Sequence, residues 1–506
     1  MSFIPRKDEA ANLKNSPSKA DPWSTKGGNS MGRNESIIKA LKDIAGADGV
    51  VTEPESLSRY AVDEVQPWVA VFPGSVEEVS KVVRLAGKEN LAMVPRGFGT
   101  KMAKGNPPSR LDMVLCTERL NRVVDMDTAN LTVTAQAGVP FKELQAALRG
   151  EENRCYLPLE DPVTVSEEEI CSDRENMGCF IPLLPPFSSA SSLGGIIAAN
   201  SSGPTRLLYG LPRDMVLGVR FVAPNGDIIG MGGKTVKNVS GYDVSKLMIG
   251  SHGSLGVLCE MTFRLLPLPE KENTVLLFFK GLSEASELTN RIFDSPLLPA
   301  AVEIMNHGAF PFLPAEGMRK GGFAVAVGME GIEETVDRMA NEVTAMGSEL
   351  GAAENRGFQG ENHYGFWNTY SNLQAVLGER NPDFLSVRLN YPISRYAEVL
   401  DCSASAASNH ALDSVLLSHA GSGVTFVHIM VSQSNATEPV ISFLEQLKER
   451  CESLGGHMVL DRATPFWKKQ WPVWGEVRGN FTVMKRIKEQ MDPLGLFSPG
   501  RFVGGI

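Results

Sequence analysis

Apolar positions recur with a helical period from the first ordered stretch of the chain. Ile37, Ile38, Leu41 and Ile44 share one face of a helix that begins near Asn34. The preceding residues 1–33 are rich in Ser, Asn, Lys, Pro and Gly and read as a disordered tail. A β-α-β pattern follows. Residues 69–72 form a short apolar strand and Pro73-Gly74 turns the chain. Ser75 with Glu78 makes a Ser-x-x-Glu capping box, and Val79, Val82, Val83 and Ala86 mark the buried face of the helix. The next strand, 91–94, runs straight into Pro95-Arg96-Gly97-Phe98-Gly99-Thr100.

Strand periodicity then takes over. Leu131, Val133 and Ala135 alternate with Thr132, Thr134 and Gln136, the pattern of a half-buried strand. Gly138 ends it, and 141–148 reads as a short helix. Residues 151–176 are polar and acidic, an inserted surface loop. Two apolar runs, 215–224 and 228–231, flank Asn225-Gly226, a hairpin turn signal. A helix over 243–249 leads to Ser251-His252-Gly253-Ser254-Leu255-Gly256, and 257–265 is another strand. Pro267 and Pro269 mark a boundary.

Beyond it, strands at 274–279, 323–328, 385–389 and 425–431 alternate with helices at 282–293, 331–346, 393–407 and 436–454. That alternation predicts a sheet covered on one face by helices, an α+β cap. A helix over 482–490 and a turn-rich stretch, 492–501, close the chain. The organisation is therefore a tail (1–33), a first domain (34–270) with its insertion (151–176), a cap (271–480), and a terminal segment (481–506) that returns to the first domain.

Composition narrows the function. A chain of 506 residues exceeds one core, and 42% hydrophobic with 21% charged residues is ordinary for a globular protein. A formal net charge of -10 argues against a nucleic-acid partner, because phosphate binding needs a basic surface. Seven cysteines, an odd number with no Cys-x-x-Cys, fit reduced thiols and no iron–sulfur or zinc site within the chain. No apolar run is long enough to span a bilayer and the N-terminus lacks a signal-peptide core. The expectation is a cytoplasmic protein that meets a membrane only through partners.

Three glycine-rich loops carry the chemistry: 96–100 followed by Lys101, 191–195 continuing to 200–203, and 250–256. Glycine lets backbone come close to a phosphate, and successive N–H groups form anion nests. Gly-x-Gly-x-x-Gly is missing from the first strand–helix junction, and there is no Walker loop. One such loop alone is more often a tight turn. Together the three imply a phosphate-bearing cofactor.

The motifs narrow this further. Residues 67–270 resemble the FAD-binding domain of the vanillyl-alcohol oxidase and p-cresol methylhydroxylase (PCMH) superfamily. The resemblance rests on Pro95 to Thr100, on Ser192-Leu193-Gly194-Gly195 with Asn200-Ser201-Ser202-Gly203, on Lys237-Asn238-Val239-Ser240-Gly241-Tyr242-Asp243 with Lys246-Leu247 and Gly250 to Val257, which resemble the segment reaching the adenine end, and on the ending Asp492-Pro493 to Pro499-Gly500-Arg501. It implies an α+β fold with a two-subdomain PCMH-type FAD-binding domain plus an α+β cap over the substrate. It implies FAD contacts from Arg96, Gly97, Phe98, Gly99, Thr100, Lys101, Gly138, Ser191, Ser192, Gly194, Gly195, Asn200, Ser202, Gly203, Gly253, Gly256 and Val257. Some members tether the flavin through His or Cys; residues 96–105 hold neither, so non-covalent FAD is expected.

Within the superfamily the chain resembles the flavin subunits of bacterial glycolate oxidase and the D-lactate dehydrogenases. Gly203-Pro204-Thr205-Arg206, Tyr209-Gly210 and Arg213-Asp214 resemble the smaller, accessory flavin subunit. Two functions follow from the resemblance. One is hydride transfer from a small 2-hydroxy acid to FAD, with electrons passed to an iron–sulfur partner beside a second flavin subunit. The other is an FAD-carrying accessory subunit whose sister subunit does the substrate chemistry. Catalytic relatives carry His-x-Gly-Asp-Gly-Asn-x-His and a later Glu-His, which together hold a divalent metal. The matching stretch here, His419-Ala420-Gly421-Ser422-Gly423-Val424-Thr425-Phe426, keeps only the first His, and 455–462 has no Glu-His. No metal is expected, since a site usually needs three or more ligands. His419 and Arg388 stand as substrate candidates; the arginine fork suits a carboxylate. The catalytic base is unassigned.

Overall fold

The computed structural model describes residues 29–148, 178–233, 243–313, 321–381, 383–431 and 437–506. Most of the N-terminal tail, the 151–176 insertion and the 237–242 motif lie outside the described residues.

The first sheet joins β1 (Val50–Val51), β2 (Val69–Val71), β3 (Met93–Arg96) and β4 (Met113–Cys116) in the order β1-β2-β4-β3, with β2, β4 and β3 parallel. The helix Val76–Glu89 crosses between β2 and β3. Ser75 Oγ accepts from Glu78 N at 3.1 Å, and Glu78 Oε2 accepts from Gly74 N at 2.8 Å. Asn90 ends the helix in the left-handed region at φ 54. Val79, Val82, Val83 and Ala86 are fully buried, as their spacing requires.

A second, antiparallel sheet contains β5 (Val123–Asp127) and β6 (Thr132–Gln136). A short β7 (Cys179–Phe180) lies apart from it. The sheet is completed by β8 (Val216–Val222), β9 (Ile228–Gly232) and β10 (Val257–Arg264), in the order β5-β6-β10-β8-β9. Val222, Val257 and Cys259 share a core with the crossing helix, so the two sheets pack into one body.

After β11 (Leu266–Pro267), which pairs with β7, eight antiparallel strands form the cap. They are β12 (Lys271–Phe279), β13 (Ala301–Asn306), β14 (Phe323–Gly331), β15 (Glu354–Gln359), β16 (Leu385–Asn390), β17 (Ser414–His419), β18 (Val424–Ile429) and β19 (His457–Arg462). Their order is β15-β12-β14-β13-β17-β18-β16-β19. Helices Leu282–Asp294, Glu333–Glu349, Tyr396–Asn409 and Thr437–Ser453 cover one face. A fifth, Glu361–Arg380, covers part of the opposite face through Phe366, Trp367, Tyr370, Leu373 and Leu377. The one-sided covering expected from sequence is therefore incomplete. This helix is buried on several sides and shows no single apolar stripe.

The C-terminal stretch lies along β3: Met93 N donates to Leu496 O at 2.7 Å and Ser498 N to Met93 O at 2.8 Å. Buried Lys488 fastens it to the 250–256 loop, reaching Ser254 O (2.8 Å), Phe497 O (2.7 Å) and Asp492 Oδ2 (2.6 Å). Among the described residues no helix is long and apolar enough to cross a membrane.

Candidate functional site

The end of β3 opens into a cleft of about 760 Å³. Its walls include Arg96 to Lys101, Ser192, Gly194, Gly195, Gly253, Gly256 and Val257, so parts of all three glycine-rich loops meet there. The loops touch. A Cβ on Gly97 would sit 1.9 Å from Ser192 Oγ; one on Gly194 would sit 2.8 Å from Ala137 Cβ and 3.0 Å from its carbonyl oxygen. Only bare backbone fits at these positions, and bare backbone is what a diphosphate needs beside it.

Side chains brace the cradle. Arg96 is held by its own neighbours. It bonds Glu118 at 2.8 Å and the carbonyls of Gly97 (3.1 Å) and Phe98 (3.2 Å), and its guanidinium stacks 5.1 Å from the Tyr60 ring centre. Ser191, fully buried, joins the first loop to the second through Thr100 Oγ1 (3.0 Å) and Lys101 Nζ (2.7 Å). Burial, helped by Lys104, pushes the Lys101 ammonium down to about 7.

Gly138 does not line the cleft. A Cβ there would fall 2.0 Å from Thr117 O, so its place is a close backbone crossing beneath the site. Asn200, Ser202 and Gly203 line a neighbouring cavity instead. Thr117, Ser251, His252 and Arg501 do line the cleft and were not singled out from sequence as contacts. His252 lies edge-on to Trp474 at 5.3 Å between ring centres; burial foremost, then Lys104 and Arg501, push it down to about 3, so it is neutral.

The second cavity, about 700 Å³, shares Ala199 with the first. One wall is the cap sheet. The pairings Arg388↔Phe426 and Leu417↔Phe426 set Arg388 (β16), Phe426 and His428 (β18), and Leu417 and His419 (β17) on the same face. The other wall includes residues 199–204 and Arg206 from the first domain.

The cavity's charges sort into paired and unpaired groups. Lys104 Nζ lies 2.6 Å from Asp461 Oδ1, and Gln374 donates to Asp461 Oδ2 at 3.1 Å. Burial alone would raise the Asp461 carboxyl, but Lys104 and Arg388 outweigh it and hold it well below the usual carboxylate range. His419 Nδ1 lies 2.7 Å from both oxygens of Glu303, and Tyr370 OH donates to Glu303 Oε2 at 2.5 Å. Arg388 and Arg206 differ: neither side chain makes a hydrogen bond or ion pair among the described residues, and Arg388 Nε is buried without a partner. Burial first, then repulsion from Arg388, lowers the Arg206 guanidinium. His428 is pushed down to about 4, mainly by burial, and its Nδ1 has no partner among the described residues.

Of the sequence candidates, Arg388 and His419 both face this cavity. Glu303, Tyr370, Arg206, Lys104 and Asp461 were missed as site residues. A signal existed for one of them: Glu303 interrupts the apolar run Ala301–Met305 at a position 1% exposed.

Comparison with known proteins agrees with this architecture. Residues 67–165 and 174–244 match the FAD binding domain family, and 268–502 match the family described as FAD linked oxidases, C-terminal domain. The glycolate oxidase subunit GlcD of Bacillus subtilis is 25% identical over 444 residues, covering 86% of this chain and 88% of its own. A D-2-hydroxyglutarate dehydrogenase of Xanthomonas citri pv. viticola is 26% identical, covering 92% and 96%. A D-lactate dehydrogenase of Archaeoglobus fulgidus is 26% identical, covering 88% and 95%. Among solved structures, p-cresol methylhydroxylase with substrate bound superposes with a TM-score of 0.69 at 16% identity, covering 93% and 96%; that likeness speaks to the fold.

Proposed function

The chain belongs to the FAD-linked oxidases, within the glycolate oxidase, D-lactate and D-2-hydroxyglutarate dehydrogenase type, and on that premise we propose that it oxidises a small 2-hydroxy acid, of glycolate or D-lactate size, to the 2-oxo acid and hands the electrons to a partner protein. The observation that carries this reading is the pair of guanidinium groups without a direct partner, Arg388 and Arg206, in a cavity that shares the Ala199 wall with the glycine-lined cleft. Two half-buried guanidinium groups that feel Asp461, Glu303 and Asp214 only at a distance, with no direct ion pair among the described residues, favour a ligand that brings an anion into contact. A carboxylate does so, with the fork of Arg388 offering a bidentate contact.

The cradle fits FAD. Main-chain amides of 97–100, backed by Lys101, would take the diphosphate, and the loops at 191–195 and 253–257 would flank the rest. Residues 96–105 offer no His or Cys for a covalent link, so the cofactor is held by non-covalent contacts. FAD, when bound, supplies the two-electron hydride acceptor. The protein's part would be to hold the acid by its carboxylate in the second cavity, next to the Ala199 wall, and so orient it toward the cofactor. We assign the onward acceptor to an iron–sulfur protein beside a second flavin subunit, on the resemblance of residues 203–214 to a flavin subunit of such an assembly.

A second reading is favoured by Phe426 and by the missing Glu-His. In it the chain is an FAD-carrying accessory subunit and a sister subunit does the oxidation. An anaerobic absorbance titration separates the two. Bleaching of the FAD-loaded chain by glycolate, D-lactate or another acid of a 2-hydroxy-acid panel supports catalysis here. A bound flavin that no acid reduces contradicts it and leaves the accessory role.

A further inference from the structure

We propose that His419 is the proton acceptor of this site, positioned by Glu303 and Tyr370, and that the cap performs this step with no metal ion. The proposal rests on the 2-hydroxy-acid reading above and names the group that reading leaves open.

The arrangement begins in strand register. β13 and β17 pair antiparallel with Glu303 directly opposite His419, so both side chains project from the same face. Glu303 is buried, which makes its acceptor oxygens demanding: each needs a donor. Tyr370, from the helix Glu361–Arg380, gives its hydroxyl to Oε2. His419 Nδ1 stands 2.7 Å from both oxygens. An ionised carboxylate only accepts, so the proton sits on Nδ1 and the lone pair of the neutral ring is on Nε2. Nε2 makes no hydrogen bond among the described residues, and His419 lines the cavity that also holds Arg388 and Arg206. A base whose far nitrogen is anchored by a buried carboxylate is oriented and ready to be stabilised as a cation.

The donor set does not fit a divalent ion. Nδ1 is taken by Glu303. Phe426 stands where the resemblance places a second histidine, its ring 5.7 Å from that of His419. Among the described residues no group of three or more His, Cys, Asp or Glu could hold a metal ion. The charged and titratable groups around His419 are Glu303 on β13, Tyr370 on its helix, Arg388 on β16, Arg206 from the first domain, His428 on β18, and the Lys104–Asp461 pair at the far wall.

The step balances as follows. The substrate O–H bond breaks and its proton goes to His419 Nε2. The electron pair left on oxygen forms the C=O bond. The α-C–H bond breaks, and its hydrogen leaves with two electrons for the flavin of bound FAD. The 2-hydroxy acid becomes the 2-oxo acid, and His419 releases its proton to solvent afterwards.

The test uses the FAD-loaded full chain with the acid that bleaches wild type fastest. Three variants, His419→Gln, Glu303→Gln and Tyr370→Phe, are compared by the rate of anaerobic reduction and by the affinity for oxalate, read from its perturbation of the flavin spectrum. His419→Gln is expected to slow reduction by roughly 10²-fold or more, in the range of lost general-base catalysis, while oxalate affinity changes less than about threefold. Glu303→Gln keeps an acceptor for Nδ1 but removes the charge that would stabilise the protonated ring, so reduction slows while oxalate affinity holds, a split of rate from binding that a purely structural role for Glu303 would not give. Nitrogen NMR of histidine-labelled wild type is expected to show His419 protonated on Nδ1. Reduction of His419→Gln at the wild-type rate, a ring protonated on Nε2, or activity lost to a chelator and restored by zinc would each overturn the proposal. Should wild type itself resist every acid of the panel, the oxidation reading and this proposal fall together. Normal wild-type bleaching with an unimpaired His419→Gln removes this proposal alone.

Discussion

Replacing Gly97 with alanine should weaken FAD binding about 30-fold, and adding Ser192→Ala should not deepen the loss. The new Cβ would lie 1.9 Å from Ser192 Oγ and 3.1 Å from Ser192 Cβ. Ser192 Oγ is not free to leave without cost, because it caps the helix Leu193–Ala198 by accepting from Gly195 N at 3.3 Å. Losing such a cap costs about 1 kcal/mol, and a core forced apart by one methyl costs about 1–3 kcal/mol. The apoprotein can let the two loops part, so the cost falls on the bound state, which needs them together. A loss of about 2 kcal/mol is roughly 30-fold in the dissociation constant. Ser192→Ala removes the cap alone and should cost about fivefold. Independent effects would make the double variant about 150-fold weaker. Because Ser192→Ala also removes the clashing oxygen, the double variant should bind FAD no more weakly than Gly97→Ala. Quenching of flavin fluorescence on binding reads all four constants. A double variant at the additive value, or a Gly97→Ala protein with wild-type affinity, would refute the placement of FAD between these loops.

Arg388→Ala should raise the KM for the 2-hydroxy acid by roughly 10- to 100-fold, the loss of a charge-assisted hydrogen bond, with Arg388→Lys intermediate; steady-state kinetics with an artificial acceptor check this, and an unchanged KM would remove Arg388 from the carboxylate site. Lys101, at about 7 in the apoprotein against 10.5 ordinarily, is penalised in its charged form, so its cost to folding is full below pH 7 and fades as pH rises toward 10.5. A diphosphate beside it favours the cation, so FAD binding takes up a proton above pH 7 and affinity falls between pH 7 and 9, by at most about tenfold per unit; Lys101→Met should flatten that profile in the same titration. Lys488→Met strands the buried Asp492 carboxylate and the Ser254 and Phe497 carbonyls. It should cost about 3–5 kcal/mol in urea unfolding, and a variant as stable as wild type would show the C-terminal anchor to be dispensable.

Where an element carries a clean apolar stripe beside a wet face, the sequence pattern predicted it well. The helix Val76–Glu89 and its Ser75 cap follow from a clean stripe and a local signal. The α+β class and the alternating cap were also legible. Four cap strands and the helix Glu361–Arg380 were not. The strand Ala301–Asn306 is buried at every position, so it has no alternation to read. The glycine-rich loops were visible as composition, but their convergence is tertiary. Glu303 meets His419 across 116 residues of chain and Lys104 meets Asp461 across 357, and no local pattern carries such pairings. What the sequence could have offered was the oddity of a carboxylate inside an apolar strand, which demands a buried donor wherever it comes from.

A crystal structure of the FAD-loaded protein soaked with oxalate tests the central claim most directly. The account predicts diphosphate oxygens within hydrogen-bond distance of the amides of residues 97–100, and oxalate carboxylate on Arg388 and Arg206. A diphosphate bound outside that cleft, or oxalate seated away from both arginines, would contradict it.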